Sequence, residues 1–369
     1  MTEANTDQFI GTRPVAEDHH FDVQALSVWL ARNLEGFRGA LHVEMFKGGQ
    51  SNPTYKLDTP TRSYVMRAKP GPLAKLLPSA HAIEREFTVM NALAGTGVPV
   101  PRMCCLCEDE SIIGRAFYVM EYMEGRVLWD QSLPGMTPAQ RGEIYEEMNR
   151  VISALHMVDF ASAGLAGYGK PGNYFERQIG RWSRQYKSST DGAGPMSQPI
   201  PEMESLVDWL PRHIPAAARD ESKVSIVHGD FRLDNLMFHR HEPRVIAVLD
   251  WELSTLGHPF ADFSYHCMPR HIPAGSLRGV GGLDLNSLGI PGEDEYIRHY
   301  CERTRLANPD ELRADWNFYM AYNLFRIAAI RQGIAKRVEA GTASSAQAAA
   351  AAVTARPAAQ LAWRFAEMA

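Results

Sequence analysis

The stretch Ile226-Val-His-Gly-Asp230-Phe-Arg-Leu-Asp-Asn235-Leu-Met237, followed by Val245-Ile-Ala-Val-Leu-Asp250-Trp-Glu252, decides how this chain is read. Four residues separate Asp230 from Asn235, which lets the loop turn back so that both side chains face one cleft. Asp250 closes an apolar run. As the end of a buried strand it would offer a rigid carboxylate to a hard cation that prefers oxygen ligands. One Asp to take a hydroxyl proton, with an Asn and a second Asp to hold Mg2+ against phosphates, are the working parts of a phosphoryl-transfer site. Taken singly, Asp230 and Asp234 read as turn caps, Asn235 as the start of a strand and Asp250 as its end. The constellation, not any one member, carries the chemistry.

Working outward, 369 residues exceed the usual size of one core, so two lobes or domains are expected. Hydrophobic content of 45% with 22% charged residues is ordinary for a globular protein. A net charge of −5 gives no support for nucleic acid or an anionic membrane as partner. The five cysteines (104, 105, 107, 267 and 301) have no regular spacing, which argues against a disulfide framework and fits a reducing compartment. Cys104-Cys105-Leu-Cys107 lacks the second ligand pair that a structural zinc needs, and reads as a strand. The polar amino terminus shows no secretory signal, and no run of about 20 apolar residues could span a bilayer. The expected location is therefore cytoplasmic.

The first twenty residues are polar and are expected to be loosely ordered. A helix is predicted over 21–34, with strands over 42–46, 52–57, 62–68, 100–106 and 116–122 forming a five-stranded, mostly antiparallel sheet. Between the third and fourth strands, residues 80–93 read as a helix with Ile83, Phe87, Met90 and Leu93 at helical spacing. After Met123-Glu-Gly125 the texture turns helical. Thr137-Pro138 is a cap and first-turn pair, and Ile144, Met148, Val151, Ile152 and Leu155 form one face. Further helices are predicted at 174–186, 203–210, 258–267, 292–304, 309–339 and 343–367, the last containing the alanine run 348–352.

Val227-His-Gly-Asp230-x-x-x-x-Asn235-x-Met237 followed by Val248-Leu-Asp-Trp-Glu252 resembles the aminoglycoside phosphotransferase and choline kinase family, within the protein-kinase-like fold. Small-molecule kinases of that group carry His-Gly-Asp where protein kinases usually carry His-Arg-Asp. The resemblance implies an α+β, bilobal protein-kinase-like fold. A flexible segment 1–20 would precede a small antiparallel-sheet lobe at 21–123 that binds nucleotide. A larger, mainly helical lobe at 124–369 would carry the catalytic loop, metal site and acceptor pocket.

The same resemblance implies roles for further residues. Gly48, Gly49, Ser51 and Asn52 would cover the nucleotide phosphates, glycines allowing close backbone approach. Val65, Arg67 and Lys69 share a strand face, and either Arg67 or Lys69 would contact the phosphates; Arg would bring a planar fork rather than a point charge. Glu86 would be the partner acid, preferred over Glu84. Glu121 and Met123 would lie at the hinge that reads adenine with main-chain groups. Asp230 would be the catalytic base, with Asn235 and Asp250 as Mg2+ ligands and ATP as phosphoryl donor. His228 and Asp262 read as scaffold for the loop, and Arg232, Asp234 and Glu252 as solvated neighbours.

The acceptor is expected to be a hydroxyl of a small molecule. Arg177, Arg181, Trp182, Arg184 and Lys187 with Tyr174, Phe175 and Tyr186 suit an anionic or thioester-bearing acceptor better than a polycation. Tyr64-Val-Met-Arg-Ala-Lys-Pro70, Ala80-His-Ala-Ile-Glu-Arg-Glu-Phe87 and Phe117-Tyr-Val-Met-Glu121 resemble the kinase-like module associated with acyl-CoA dehydrogenases. That resemblance spans most of residues 35–340 and implies a hydroxyacyl-CoA type of acceptor. Three other readings compete: a nucleotide-binding module without turnover, a metal-dependent hydrolase built on His228, Asp230, Asp250 and His258, and a dinucleotide oxidoreductase. The last is poorly supported, since Gly279-Val-Gly281-Gly282 neither follows a strand nor opens a helix.

Overall fold

The computed structural model describes residues 11–47, 52–70, 82–190, 194–276, 278–342 and 348–369. The chain divides into two compact units, each assembled from separate stretches. Unit 1 comprises Met1–Ala154, Val158–Tyr168 and Arg232–Ser254; unit 2 comprises Leu155–Met157, Gly169–Phe231 and Thr255–Ala369.

Unit 1 runs β1 (Thr12–Arg13), α1 (Val23–Asn33), β2 (His42–Phe46), β3 (Thr54–Asp58), β4 (Ser63–Ala68), α2 (Ile83–Leu93), β5 (Met103–Cys107), β6 (Phe117–Glu121), β7 (Arg126–Val127) and α3 (Pro138–His156), whose last two residues fall in unit 2. The sheet has six strands in the order β1-β2-β3-β4-β6-β5, with every neighbouring pair antiparallel. The sixth strand lies in the segment expected to be loose. Thr12 and Arg13 pair with Phe46 and Met45, and the Thr12 hydroxyl donates to Glu44 at 2.9 Å. Two residues held by main-chain bonds have no side-chain periodicity to betray them.

Alternation along β4 sends Tyr64, Met66 and Ala68 into a core with Tyr55, Leu57, Phe117 and Val119, closed by Leu26 and Leu30 of α1. Each large side chain so buried contributes about 1.5–3 kcal/mol. Asp22 caps α1 by accepting the Ala25 N–H at 2.9 Å. On α2 the buried face is Ile83, Glu86, Val89, Met90 and Leu93. An acid thus occupies the stripe, while Phe87 is only half-buried. Thr137 and Gln140 form a reciprocal cap at the start of α3, with N–H bonds of 2.9 and 3.3 Å.

The strands β9 (Leu236–Phe238) and β10 (Val245–Val248) complete unit 1 as a three-stranded sheet with β7; β8 (Ser225–Val227) belongs to unit 2. Unit 1 therefore takes in more than residues 21–123. The Val248 N–H donates to the Pro99 carbonyl at 2.8 Å, and the Val245 N–H to the Glu147 carboxylate at 3.0 Å, which ties this late hairpin to early chain.

Unit 2 pairs β8 with β11 (Thr255–Gly257) and surrounds them with helices α4 (Tyr174–Ser189), α5 (Pro201–Trp209), α6 (Pro259–Cys267), α7 (Leu285–Leu288), α8 (Glu293–Thr304), α9 (Pro309–Ala314), α10 (Trp316–Glu339), α11 (Ala348–Ala352) and α12 (Ala355–Glu367). The helix expected over 309–339 is broken at Asp315, where φ is −98° and ψ is 5°. A capping box between Asn308 and Glu311 starts the short α9 before the break. Helix α10 packs against α4, α6 and α12 and is buried along most of its length. The alanine-rich end packs too: Ala355, Ala358, Ala359 and Ala362 are buried, small side chains letting α12 lie close to α10. No helix among the described residues is long and apolar enough to cross a membrane. Replacing the fully buried Ala359 by Leu should cost about 1–3 kcal/mol through overpacking, read as a lower thermal midpoint. An unchanged midpoint would mean that α12 does not pack as described.

Candidate active site

Unit 1 gathers one set of polar side chains around Arg67. The β4–β6 register sets Arg67 directly opposite Tyr118, so both project from the same face of the sheet. The Arg67 guanidinium lies 3.2 Å from Glu86 of α2, 3.1 Å from Asp250 and 3.9 Å from Glu252. Glu86 also accepts hydrogen bonds from the Asn52 amide at 3.0 Å and the Tyr118 hydroxyl at 3.2 Å. Only 1% of Glu86 is exposed, so these donors replace its water. Burial works against the Arg67 charge, but Glu86 and the neighbouring Asp250 outweigh it and hold its pKa above the ordinary value. Burial raises the Glu86 carboxyl, with Arg67 pulling the other way. Tyr118 stays protonated, pushed well up by burial and by the Glu86 carboxylate.

Of the two basic candidates on this strand, Arg67 is the one beside Asp250; Lys69 pairs instead with the half-buried Glu84. Val65 is buried on the Arg67 face. Gly48, Gly49 and Ser51 lie outside the described residues. Glu121 ends β6, and its carboxylate accepts the Arg102 N–H at 2.8 Å; Met123 follows it, half-buried.

The β9–β10 hairpin brings Asn235 and Asp250 to one place. The Leu249 N–H donates to the Asn235 carbonyl at 2.8 Å, so the turn Leu233–Asn235 lies against the residue that precedes Asp250. Asp250 sits at φ 64°, ψ 64°, a left-handed conformation costly for a non-glycine residue. Asp234 and Glu252 are not simply solvated: Asp234 is buried, 3.4 Å from the Arg232 guanidinium, and Glu252 points toward Arg67. No group of three His, Cys, Asp or Glu among the described residues forms a metal cage. An amide oxygen and one carboxylate are nonetheless the kind of donor set that suits Mg2+, which keeps waters and takes its other ligands from phosphates.

Unit 2 builds a second set around the loop after β8. Asp262 of α6 accepts the N–H groups of His228 at 2.7 Å and Gly229 at 2.8 Å. Gly229 adopts φ +80°, which turns the chain toward Asp230. The His228 ring is fully buried and accepts the Asp230 N–H at 3.2 Å. These bonds make His228 and Asp262 the scaffold of the loop. Two residues went unnoticed in the sequence. Tyr265, one turn beyond Asp262, donates its hydroxyl to the Asp230 carboxylate. Arg326 of α10, buried, donates to the Gly229 carbonyl. The available signal was a lone arginine within the apolar run Tyr322-Asn-Leu-Phe-Arg326-Ile-Ala-Ala. His258, a candidate for hydrolase chemistry, is occupied as a cap: its ring accepts the Phe260 N–H at 3.3 Å and bonds the Ala217 carbonyl at 3.1 Å. Burial lowers its pKa to about 4.

Two predictions follow from these geometries. Arg67→Met strands a buried Glu86 and should cost about 3–5 kcal/mol, whereas Arg67→Met with Glu86→Gln should recover much of that loss in urea unfolding. Equal losses would contradict the pairing. For Asp262, burial raises the carboxyl, but its hydrogen bonds with the His156 ring and the His228 N–H favour the carboxylate, and the pKa is lowered. A lowered folded pKa gives stability that is complete above about pH 4 and lost as pH falls through the folded value. Asp262→Asn should therefore lower the thermal midpoint more at pH 7 than at pH 3. A pH-independent difference would rule out this linkage.

A family model described as "Phosphotransferase enzyme family" matches residues 42–313. The chain is 46% identical over 359 residues to acyl-CoA dehydrogenase family member 10 of Mus musculus, covering 96% of this chain and 32% of that protein. It thus spans about a third of that relative's length. A crystal structure of a candidate aminoglycoside phosphotransferase from Ralstonia eutropha JMP134 is 59% identical, with a TM-score of 0.84, covering 95% of this chain and 99% of that one. A thermostable mutant of aminoglycoside phosphotransferase APH(4)-Ia, in ternary complex with AMP-PNP and hygromycin B, is 15% identical. Its TM-score is 0.57, covering 92% of this chain and 98% of that one, a likeness of fold.

Proposed function

The chain belongs to the phosphotransferase enzyme family, and from that premise we propose that it is an ATP- and Mg2+-dependent small-molecule kinase. The observation that carries this reading is the Arg67 guanidinium, its side chain 13% exposed, placed between the Glu86 and Asp250 carboxylates. A cation paired in this way is held ready to meet phosphate oxygens. In the reaction, the acceptor hydroxyl oxygen attacks the γ-phosphorus, the bond to the ADP oxygen breaks, and the hydroxyl proton passes to Asp230. Arg67 offsets phosphate charge, supported by Glu86 and, through Glu86, by Asn52 and Tyr118. The loop containing Gly48, Gly49 and Ser51 would cover the phosphates with backbone N–H groups. Val65 and the backbone near Glu121 and Met123 would receive the adenine. Asn235 and Asp250 would hold Mg2+, which supplies neutralisation of phosphate charge when bound. ATP as donor is supported by the AMP-PNP complex of a relative in fold.

A hydroxyacyl-CoA is the acceptor we favour, because the chain matches a segment of proteins named as acyl-CoA dehydrogenase family members. The second reading, nucleotide binding without turnover, draws on one observation: an Asp250 oxygen is already engaged by Arg67. The two readings separate in one variant. Mg-ATP should raise the thermal midpoint of both the wild type and Asp230→Asn, while the variant loses about 100–1000-fold in turnover. Turnover is followed as ADP release with hydroxyacyl-CoA, choline-like amines and aminosugars tested side by side. Normal phosphate transfer by Asp230→Asn would remove Asp230 from its assigned role. Protection without ADP release from any acceptor, in the wild type, would favour the binding module.

A further inference from the structure

We infer that Tyr265 is a positioning residue that aims the Asp230 carboxylate, with Arg326 fixing both Tyr265 and the loop beneath it. The inference deepens the phosphotransferase reading and rests on it for the role of Asp230. Tyr265 is 4% exposed and donates its hydroxyl to Asp230 Oδ1. It follows Asp262 by three residues on α6, so the two side chains share one helix face. From that face Asp262 grips the His228 and Gly229 N–H groups, and Tyr265 grips the next side chain along. Backbone and carboxylate are thereby set from one rigid element.

Arg326 closes the arrangement from α10. It is 6% exposed, donates Nη2 to the Gly229 carbonyl, and holds its guanidinium 5.0 Å from the Tyr265 ring centre and 5.6 Å from that of Trp182. It is thus held by that carbonyl and by the two ring faces. A buried guanidinium carries a desolvation cost that ring faces and a carbonyl offset only in part. Its contacts brace the residue just before Asp230 and the ring that carries the Tyr265 hydroxyl. A carboxylate that must receive a proton from an aligned hydroxyl gains from having a single orientation, since small misplacements cost large factors in rate. Simple core packing would need the Tyr265 ring but not its hydroxyl.

Tyr265→Phe deletes that hydroxyl and keeps the ring under Arg326. Crystal structures of the wild type and this variant are expected to show the Asp230 side chain leaving its orientation while the Asp262 bonds to His228 and Gly229 persist. ADP release from Mg-ATP, with water as acceptor, should fall about tenfold or more in kcat, with KM for Mg-ATP and its thermal protection unchanged. Arg326→Lys, which keeps a cation but loses the Nη2 bond to the Gly229 carbonyl, should move both readouts in the same direction. An unmoved Asp230 in both variants would overturn the inference, as would wild-type kcat in Tyr265→Phe. So would loss of Mg-ATP protection together with kcat, the sign of a structural role. Absence of ADP release from the wild type would count against the phosphotransferase reading, and the crystal comparison would still decide the positioning.

Discussion

Arg67 is a charge that has lost most of its water, and unit 1 is arranged to keep it paired. Stripping an ion of solvent costs several kcal/mol, and one carboxylate alone seldom offsets that. Here three elements converge. Strand β4 carries the arginine, α2 turns Glu86 inward, and the turn after β10 brings Asp250. Glu86 is satisfied in turn by Asn52 and Tyr118, so the carboxylate does not depend on Arg67 alone. The left-handed backbone at Asp250 costs of order 1–3 kcal/mol, and the surrounding hairpin holds it there through the Leu249–Asn235 bond.

Unit 2 solves the mirror problem with a carboxylate at its centre. Asp262 is buried and accepts two backbone N–H groups, with the His156 ring 3.3 Å away. Those bonds fix the Gly229 turn, and the turn fixes where Asp230 begins. The Tyr300 hydroxyl, 2.7 Å from the other His156 nitrogen, holds that ring against α8. The loop adds apolar anchors of its own, Phe231 being fully buried against the rings of His228 and His266. Burying an acid at position 262 has a physical use: the low dielectric strengthens each bond it makes.

What could be read in advance tracks how each feature is encoded. Strands β2 to β6 and the helices with apolar stripes, such as α3 and α4, were legible because burial repeats at two or 3.6 residues. Strand β1 was not, since main-chain pairing leaves no side-chain pattern. The break at Asp315 was hidden because apolar residues at helical spacing run across it, Leu312 before and Trp316 after. In the candidate site, Asp230, Asn235 and Asp250 stood out by spacing within one short segment. Arg67 and Lys69 could not be told apart, because strand alternation puts both on one face. Only the position of α2 separates them, giving Glu86 to one and Glu84 to the other. Tyr265 and Arg326 meet the loop across long chain separations, where no local pattern reports on contact.

An arginine at position 67 changes what the site can do. A lysine ammonium is a compact, strongly hydrated charge, whereas a guanidinium presents several donors in a fixed plane. Arg67 uses that plane to face Glu86 through Nε and Asp250 through Nη2, contacts that point in different directions. On the proposed reading, incoming phosphate oxygens compete with Asp250 for one edge of the fork, while Glu86 keeps the other. On that reading the pairing would exchange one anion for another at the guanidinium. Asp250, released from the guanidinium, would then be able to hold the Mg2+ of that reading. A lysine ammonium also has three donors, but no fixed plane that aims them separately at the two carboxylates.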